Sequence, residues 1–231
     1  MDCGTHVHLF TDSAGAIALW DFLVDRADQA WALAWGHALL VVVAVLVATV
    51  IAIAAAVVVT RVPRLEPVAN AISSIGLTIP SFALVGLLLP AFGLGFWTAL
   101  LCVGFYAVFP VLRNAVVGLQ GVDPSLLESA TGMGMSQRSA LLRVRLPLAW
   151  PVILAGVRVS MQMSMGVAAI AAYVLGPGFG SWIFLGLAQT GGKNGVNYAL
   201  TATLAIVVIA LVFDLLLLLL GRATISKGIR A

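Results

Sequence analysis

The sequence predicts an all-α polytopic membrane protein of about five transmembrane helices, and three observations carry that reading. Hydrophobic residues make up 62% of the chain and charged residues 9%, whereas an average soluble domain has roughly 45–50% and ~25%. Apolar runs such as LLVVVAVLVATVIAIAAAVVV, residues 39–59, match the ~20 residues that cross a hydrocarbon core. These runs do not alternate apolar with polar, which excludes the segments of about ten alternating residues that build a transmembrane barrel.

Residues 1–36 form an N-terminal extracytoplasmic or interfacial segment in which Asp21, Asp25 and Asp28 are scattered among Trp20, Phe22, Trp31 and Trp35. The part over residues 16–34 reads as a helix lying at headgroup depth on its tryptophans, or as a sixth span. Residues 1–9 have neither the basic start nor the apolar core of a cleavable signal. The transmembrane domain is expected over 37–221. Its first span covers about 37–60 and ends at the charged break RVPR. A second covers about 67–90 with an unusually polar middle: Ser73, Ser74, Thr78, Pro80 and Ser81. The third runs over about 95–117, the fourth over 148–173 and the fifth over 198–220, ahead of a tail at 222–231. Between the last two, GSWIFLG is too short to cross, and either a re-entrant or interfacial helix at 181–187 or an ordinary loop accounts for it.

Arg61, Arg64, Arg138, Arg143, Arg145, Arg222, Lys227 and Arg230 fall on one side of this arrangement, leaving Arg26 and Lys193 on the other. Basic residues are retained on the cytoplasmic side, so residues 123–147 and the C-terminus are expected there. The same topology explains the net charge of +3 without nucleic-acid binding. Cys3 and Cys102 lack the partners of a disulfide framework, and His6, His8 and His37 have no ligand spacing, so no metal site is expected.

The polar island at 123–147, DPSLLESATGMGMSQRSALLRVRLP, stands out from its surroundings. Asp123 before Pro124 is an N-cap followed by proline at the first helical position. A helix is therefore expected from Pro124 to about Met133, then a turn at Gly132 and Gly134, then a second helix capped by Ser136 and ended by Pro147. One reading of this pair is an amphipathic loop packed on its own bundle. The other is a docking knob for a soluble partner.

Glu128, Ser129 and Ala130, then Gly134 after three residues, then Val144, Leu146 and Pro147 after nine more, resemble the E-A-A signature of permease subunits of binding-protein-dependent ABC importers. Ser129 and Val144 are its two departures, standing for Ala and Ile. The resemblance runs over about 35–221 and narrows to the osmoprotectant branch through TIPSFAL at 78–84, FPVLRNAVVGL at 109–119, GMGM at 132–135 and LPLAWPVILAGVR at 146–158. In the segment at 176–180, Pro177 and Phe179 depart from the branch's glycine-rich form.

That resemblance implies a multi-pass subunit of a prokaryotic inner or plasma membrane, translocating glycine betaine, choline or carnitine by alternating access. Its island would couple to a cytoplasmic ABC ATPase dimer that binds ATP and Mg, since this chain has no phosphate-binding loop of its own. An extracytoplasmic binding protein would deliver cargo, and a second copy or a sister permease would complete the pore. No catalytic residue or cofactor is expected in the chain. The same machinery with another small zwitterion or amine remains open, as does a membrane scaffold that recruits a cytoplasmic protein. For the path, Ser74, Thr78, Pro80 and Ser81 are expected to face Ser160 and Ser164; the alternative is that these hydroxyls bond their own helices or join neighbours. Arg158 and Asp214, ionisable within the fourth and fifth spans, are expected to pair or to line the inner mouth; snorkelling of Arg158 is the alternative.

Overall fold

The computed structural model describes residues 13–192 and 194–225. The expectations resting on Cys3, His6, His8, Lys193, Lys227 and Arg230 lie outside the described residues. Ten α-helices cover the described chain: α1 Ser13–Asp25, α2 Ala27–Arg61, α3 Glu66–Thr78, α4 Ser81–Phe92, α5 Phe96–Gln120, α6 Pro124–Gly132, α7 Gln137–Ala140, α8 Leu146–Ala171, α9 Gly180–Ala188 and α10 Gly195–Thr224. Among the described residues four helical segments are long and apolar enough to cross a membrane, or five when the bent pair α3–α4 counts as one.

The core lies where α5 packs against α2 on one side and α8 on the other. Many of its buried residues are small or β-branched on all three: Ala44, Ala48, Ala52 and Ala56 of α2, Val103, Ala107, Val111 and Ala115 of α5, and Ile153, Val157 and Ala168 of α8. Small residues every fourth position let backbones approach closely, and within a bilayer packing rather than water exclusion holds helices together. α10 packs on α8 and α9 and leaves most of its apolar surface exposed.

Two contacts mark each end of the bundle. At the end bearing the island, Gln120 of α5 donates to Glu66 of α3 at 2.8 Å, and the Trp150 indole of α8 donates to Thr224 of α10 at 2.9 Å. At the far end, the Gly95 N–H donates to the Val174 carbonyl at 2.7 Å, and the Thr98 hydroxyl to the Gly93 carbonyl at 2.5 Å. The pair α3–α4 starts at the first end and finishes at the second, so it is one broken span and not a loop that turns back.

That break corrects the single helix expected over 67–90: the two halves are bent by 93°. Pro80 has no N–H for the helical ladder and pushes the residue before it out of the α region. Ile79 accordingly is extended, with φ −65° and ψ 125°.

The stretch 16–34 is likewise not one helix and does not make a sixth span. It turns at Arg26, and its second half is the start of α2, which begins ten residues before the expected 37. Arg26 secures the turn: its Nε donates to the Tyr198 hydroxyl at 3.2 Å, and its guanidinium sits 4.4 Å from the Phe22 ring centroid, a cation–π distance. Phe22, Phe179 and Trp182 are buried together beneath it. Of the two readings of 181–187, a short helix or an ordinary loop, the helix is present as α9, with Trp182 and Gly186 buried.

Candidate functional site

The island is built from local signals. The Asp123 carboxylate accepts from the Ser125 N–H at 2.9 Å, capping α6 with Pro124 inside its first turn. That backbone N–H holds the Asp123 carboxyl below the usual carboxylate range. α6 ends in a Schellman arrangement: the Met135 N–H donates to the Ala130 carbonyl at 3.1 Å and the Gly134 N–H to the Thr131 carbonyl at 2.9 Å. Gly134 takes φ +87° there, and a Cβ on it would meet nothing within 4 Å. Backbone sign, not space, is what requires glycine.

Ser136 caps α7, accepting from the Ser139 N–H at 3.3 Å. Pro147 does not end the second helix as expected. A π-helical turn at Leu141–Arg145 carries α7 into α8, with the Leu146 N–H donating back to the Leu141 carbonyl. Pro147 has no N–H to give the ladder, and the wider π turn just before it shifts the hydrogen-bond register so that the helix passes through.

The signature residues divide into two groups. Ala130 is buried, and Val144 and Leu146 are half-buried against the bundle; Glu128, Ser129 and Pro147 are exposed, as are Arg138, Arg143 and Met133. The Ser129 hydroxyl donates to the Ser125 carbonyl at 2.8 Å, so this departure from Ala satisfies itself within its helix. Arg145, which the sequence marks only as a basic residue, ties the second limb to the bundle: its Nε donates to the Leu119 carbonyl at the end of α5 at 2.8 Å. The result is a knob fixed at its base, with an outer face that mixes Glu128, Arg138 and Arg143 with the exposed Leu126, Met133 and Leu142.

Arg158 and Asp214 form a bidentate pair. Arg158 Nε lies 2.9 Å from Asp214 Oδ1 and Nη2 lies 2.8 Å from Oδ2. Gln162, one turn along α8 and unmarked by its sequence context, donates to Oδ1 at 3.2 Å. The pair is 36% and 23% exposed at its side chains, so each ion is satisfied by the other while one edge of the pair faces outward.

The path residues expected to face one another are not brought onto one surface. Ser74, Thr78 and Pro80 are exposed and Ser81 half-buried along the bend of α3–α4, while Ser160 and Ser164 are buried within the core. Ser160 donates to the Ala107 carbonyl at 2.8 Å and so joins α8 to α5, and the Thr78 hydroxyl donates to its own helix at Ile75 at 2.7 Å. Sequence reasoning missed Tyr106: its buried hydroxyl donates to the Ile79 carbonyl at the bend. The signal was available, since a broken span leaves a carbonyl that needs a donor.

Comparison with known proteins agrees with this architecture. The family model described as "binding-protein-dependent transport system inner membrane component" matches residues 48–226. The choline transport system permease protein OpuBB of Bacillus subtilis is 32% identical over 209 residues, covering 90% of this chain and 94% of the relative. The osmoprotectant import permease protein OsmW of Salmonella typhimurium is 33% identical over 214 residues, covering 90% and 98%. Among solved structures, an inward-facing MetNI methionine ABC transporter superposes with a TM-score of 0.72 at 19% identity, covering 86% of this chain and 99% of that one, a likeness of fold. With its island, its broken span and the family match over most of its length, the chain belongs to the inner-membrane permease components of binding-protein-dependent ABC importers.

Proposed function

We propose that the chain translocates an osmoprotectant such as glycine betaine, choline or carnitine, driven by a separate ATPase. The observation that carries the cargo is the agreement of relatives covering 90% of this chain, named for choline and for osmoprotectant import. In this reading the island and C-terminus are cytoplasmic, following the count of basic residues. The exposed face of the knob docks an ABC ATPase dimer, which binds ATP and Mg. A binding protein delivers cargo at the far end, near α9, and a second copy or a sister permease closes the path. The exposed bend of α3–α4 supplies the path's polar wall through Ser74, Thr78 and Ser81, with Pro80 making the bend, and the pair Arg158–Asp214 joins α8 to α10 toward the cytoplasmic mouth. Ser160 holds α8 to α5, and Ser164 is buried in the core beside it.

Movement follows from the way the ends are tied. The knob is bonded to α5 through Arg145, and α8 to α10 through Trp150, so closure of the ATPases under the knob shifts these helix ends together.

Uptake of labelled glycine betaine, choline and carnitine by proteoliposomes carrying the reconstituted complex tests the cargo. Uptake of at least one, dependent on ATP and binding protein, is the expected result. ATP turnover stimulated by the binding protein with uptake of none of the three would overturn the cargo and leave the permease role standing.

A further inference from the structure

A pocket of about 210 Å³ lies between the knob and the end of α2, walled by Thr60, Arg61, Thr131, Gln137, Leu141 and Arg145. Its depth is set by sequence. α2 is apolar without a charge over residues 39–59 and turns polar at Thr60 and Arg61, where hydrocarbon gives way to headgroups. Among the described residues neither Arg61 nor Arg145 has a carboxylate within ion-pair distance; the pair found there is Arg158–Asp214. Arg145 is oriented by its Nε bond to Leu119, which leaves its terminal nitrogens as donors.

Thr60 and Thr131 add no donors, because their hydroxyls already donate to the helix carbonyls of Val57, Leu127 and Glu128. Positive charge and N–H donors therefore come from the two guanidiniums and the Gln137 amide. Retention of basic residues on one side of a membrane requires only that they lie on that side. Two guanidiniums lining one cavity repel each other until an anion sits between them, and their fork geometry matches phosphate oxygens.

We infer that this pocket holds the phosphate of an anionic membrane phospholipid, bridging α2 to the coupling knob. The acyl chains run along the outer face of α2, where Val58, Ile51 and Val50 are exposed. A lipid is favoured over an acidic side chain of a protein partner by the position of the cavity at the end of an apolar span. The exposed Glu128 and Met133 do not line it. Bound lipid would stiffen the knob and make coupling depend on membrane charge.

Native mass spectrometry of the full chain released from nanodiscs of mixed phosphatidylglycerol and phosphatidylcholine reads the site. The wild type is expected to retain phosphatidylglycerol in preference. Arg61→Gln, on an exposed side chain without a hydrogen bond or ion pair among the described residues, should lower that preference about five- to tenfold, on the scale of one basic residue meeting an anionic headgroup. Arg61→Lys should keep most of it. Equal retention by Arg61→Gln and wild type overturns the site. So does loss of the retained lipid when the ATPase subunit binds, which would give the cavity to a protein carboxylate. Displacement of the lipid by inorganic phosphate would reassign the cavity to a soluble anion and also overturn it.

Discussion

At the scale of single residues, the pair Arg158–Asp214 shows how far an ion can be read from its place in a span. Two opposite charges at similar depth in consecutive spans predict a partner for each, because an unpaired ion in hydrocarbon is costly. The bidentate geometry and the donation from Gln162 were not legible, since they depend on how α8 is rotated against α10. Removing one ion strands the other. Arg158→Gln and Asp214→Asn are each expected to reduce transport and yield of folded protein several-fold, and the double variant to recover folding beyond either single. Size-exclusion yield and melting temperature in detergent measure the folding arm, and uptake the functional one. If the double variant transports as well as wild type, the pair is structural; if it folds but does not transport, the pair works in the path. Full activity of both singles would remove any role.

At the scale of elements, the two helix starts of the island were legible, while the start of α2 and the outcome at two prolines were not. Asp123, Pro124 and Ser136 sit where capping chemistry places them because caps act within a few residues. Pro80 and Pro147 show the limit. The two prolines look alike in sequence, yet Pro80 breaks its span by 93° while Pro147 enters a continuous helix. The difference is made elsewhere, by the Tyr106 hydroxyl that satisfies Ile79 and by the π turn before Leu146. Gly76 belongs to the same device: a Cβ there would lie 2.2 Å from Phe109 Cζ, so only glycine lets α3 lie flat on that ring. Tyr106→Phe keeps the ring and removes the donor, which should destabilise the fold by about 1–3 kcal/mol as an orphaned carbonyl does. A lower unfolding midpoint, with new protease cleavage around residues 79–81, is the expected readout. An unchanged midpoint would mean that water, and not Tyr106, serves the bend. Ser160 and Ser164 were misplaced for a related reason: helical spacing shows that they share a face but not that the face meets α5.

At the scale of the whole molecule, the bundle gathers the ends of α2, α5, α8 and α10 around one knob, and the sequence marks that knob more clearly than any other part. Whether it transmits force depends on rigidity, and its least replaceable joint is Gly134. The φ of +87° is open to glycine, is tolerated by asparagine, and costs other residues about 1–2 kcal/mol. No neighbour lies within 4 Å of an added Cβ, so the cost of substitution is backbone strain in the knob alone, far from the buried core. Gly134→Val is therefore expected to insert and fold normally while lowering ATP-driven uptake at least tenfold, and Gly134→Asn to retain most of it. Comparing uptake with co-purification of the ATPase then separates two failures. Retained ATPase with lost uptake means a knob that docks but does not transmit; lost ATPase means a misaligned docking face. Equal transport by the valine and glycine forms would show that the turn's handedness is irrelevant, and the knob would be a plain loop on a membrane bundle.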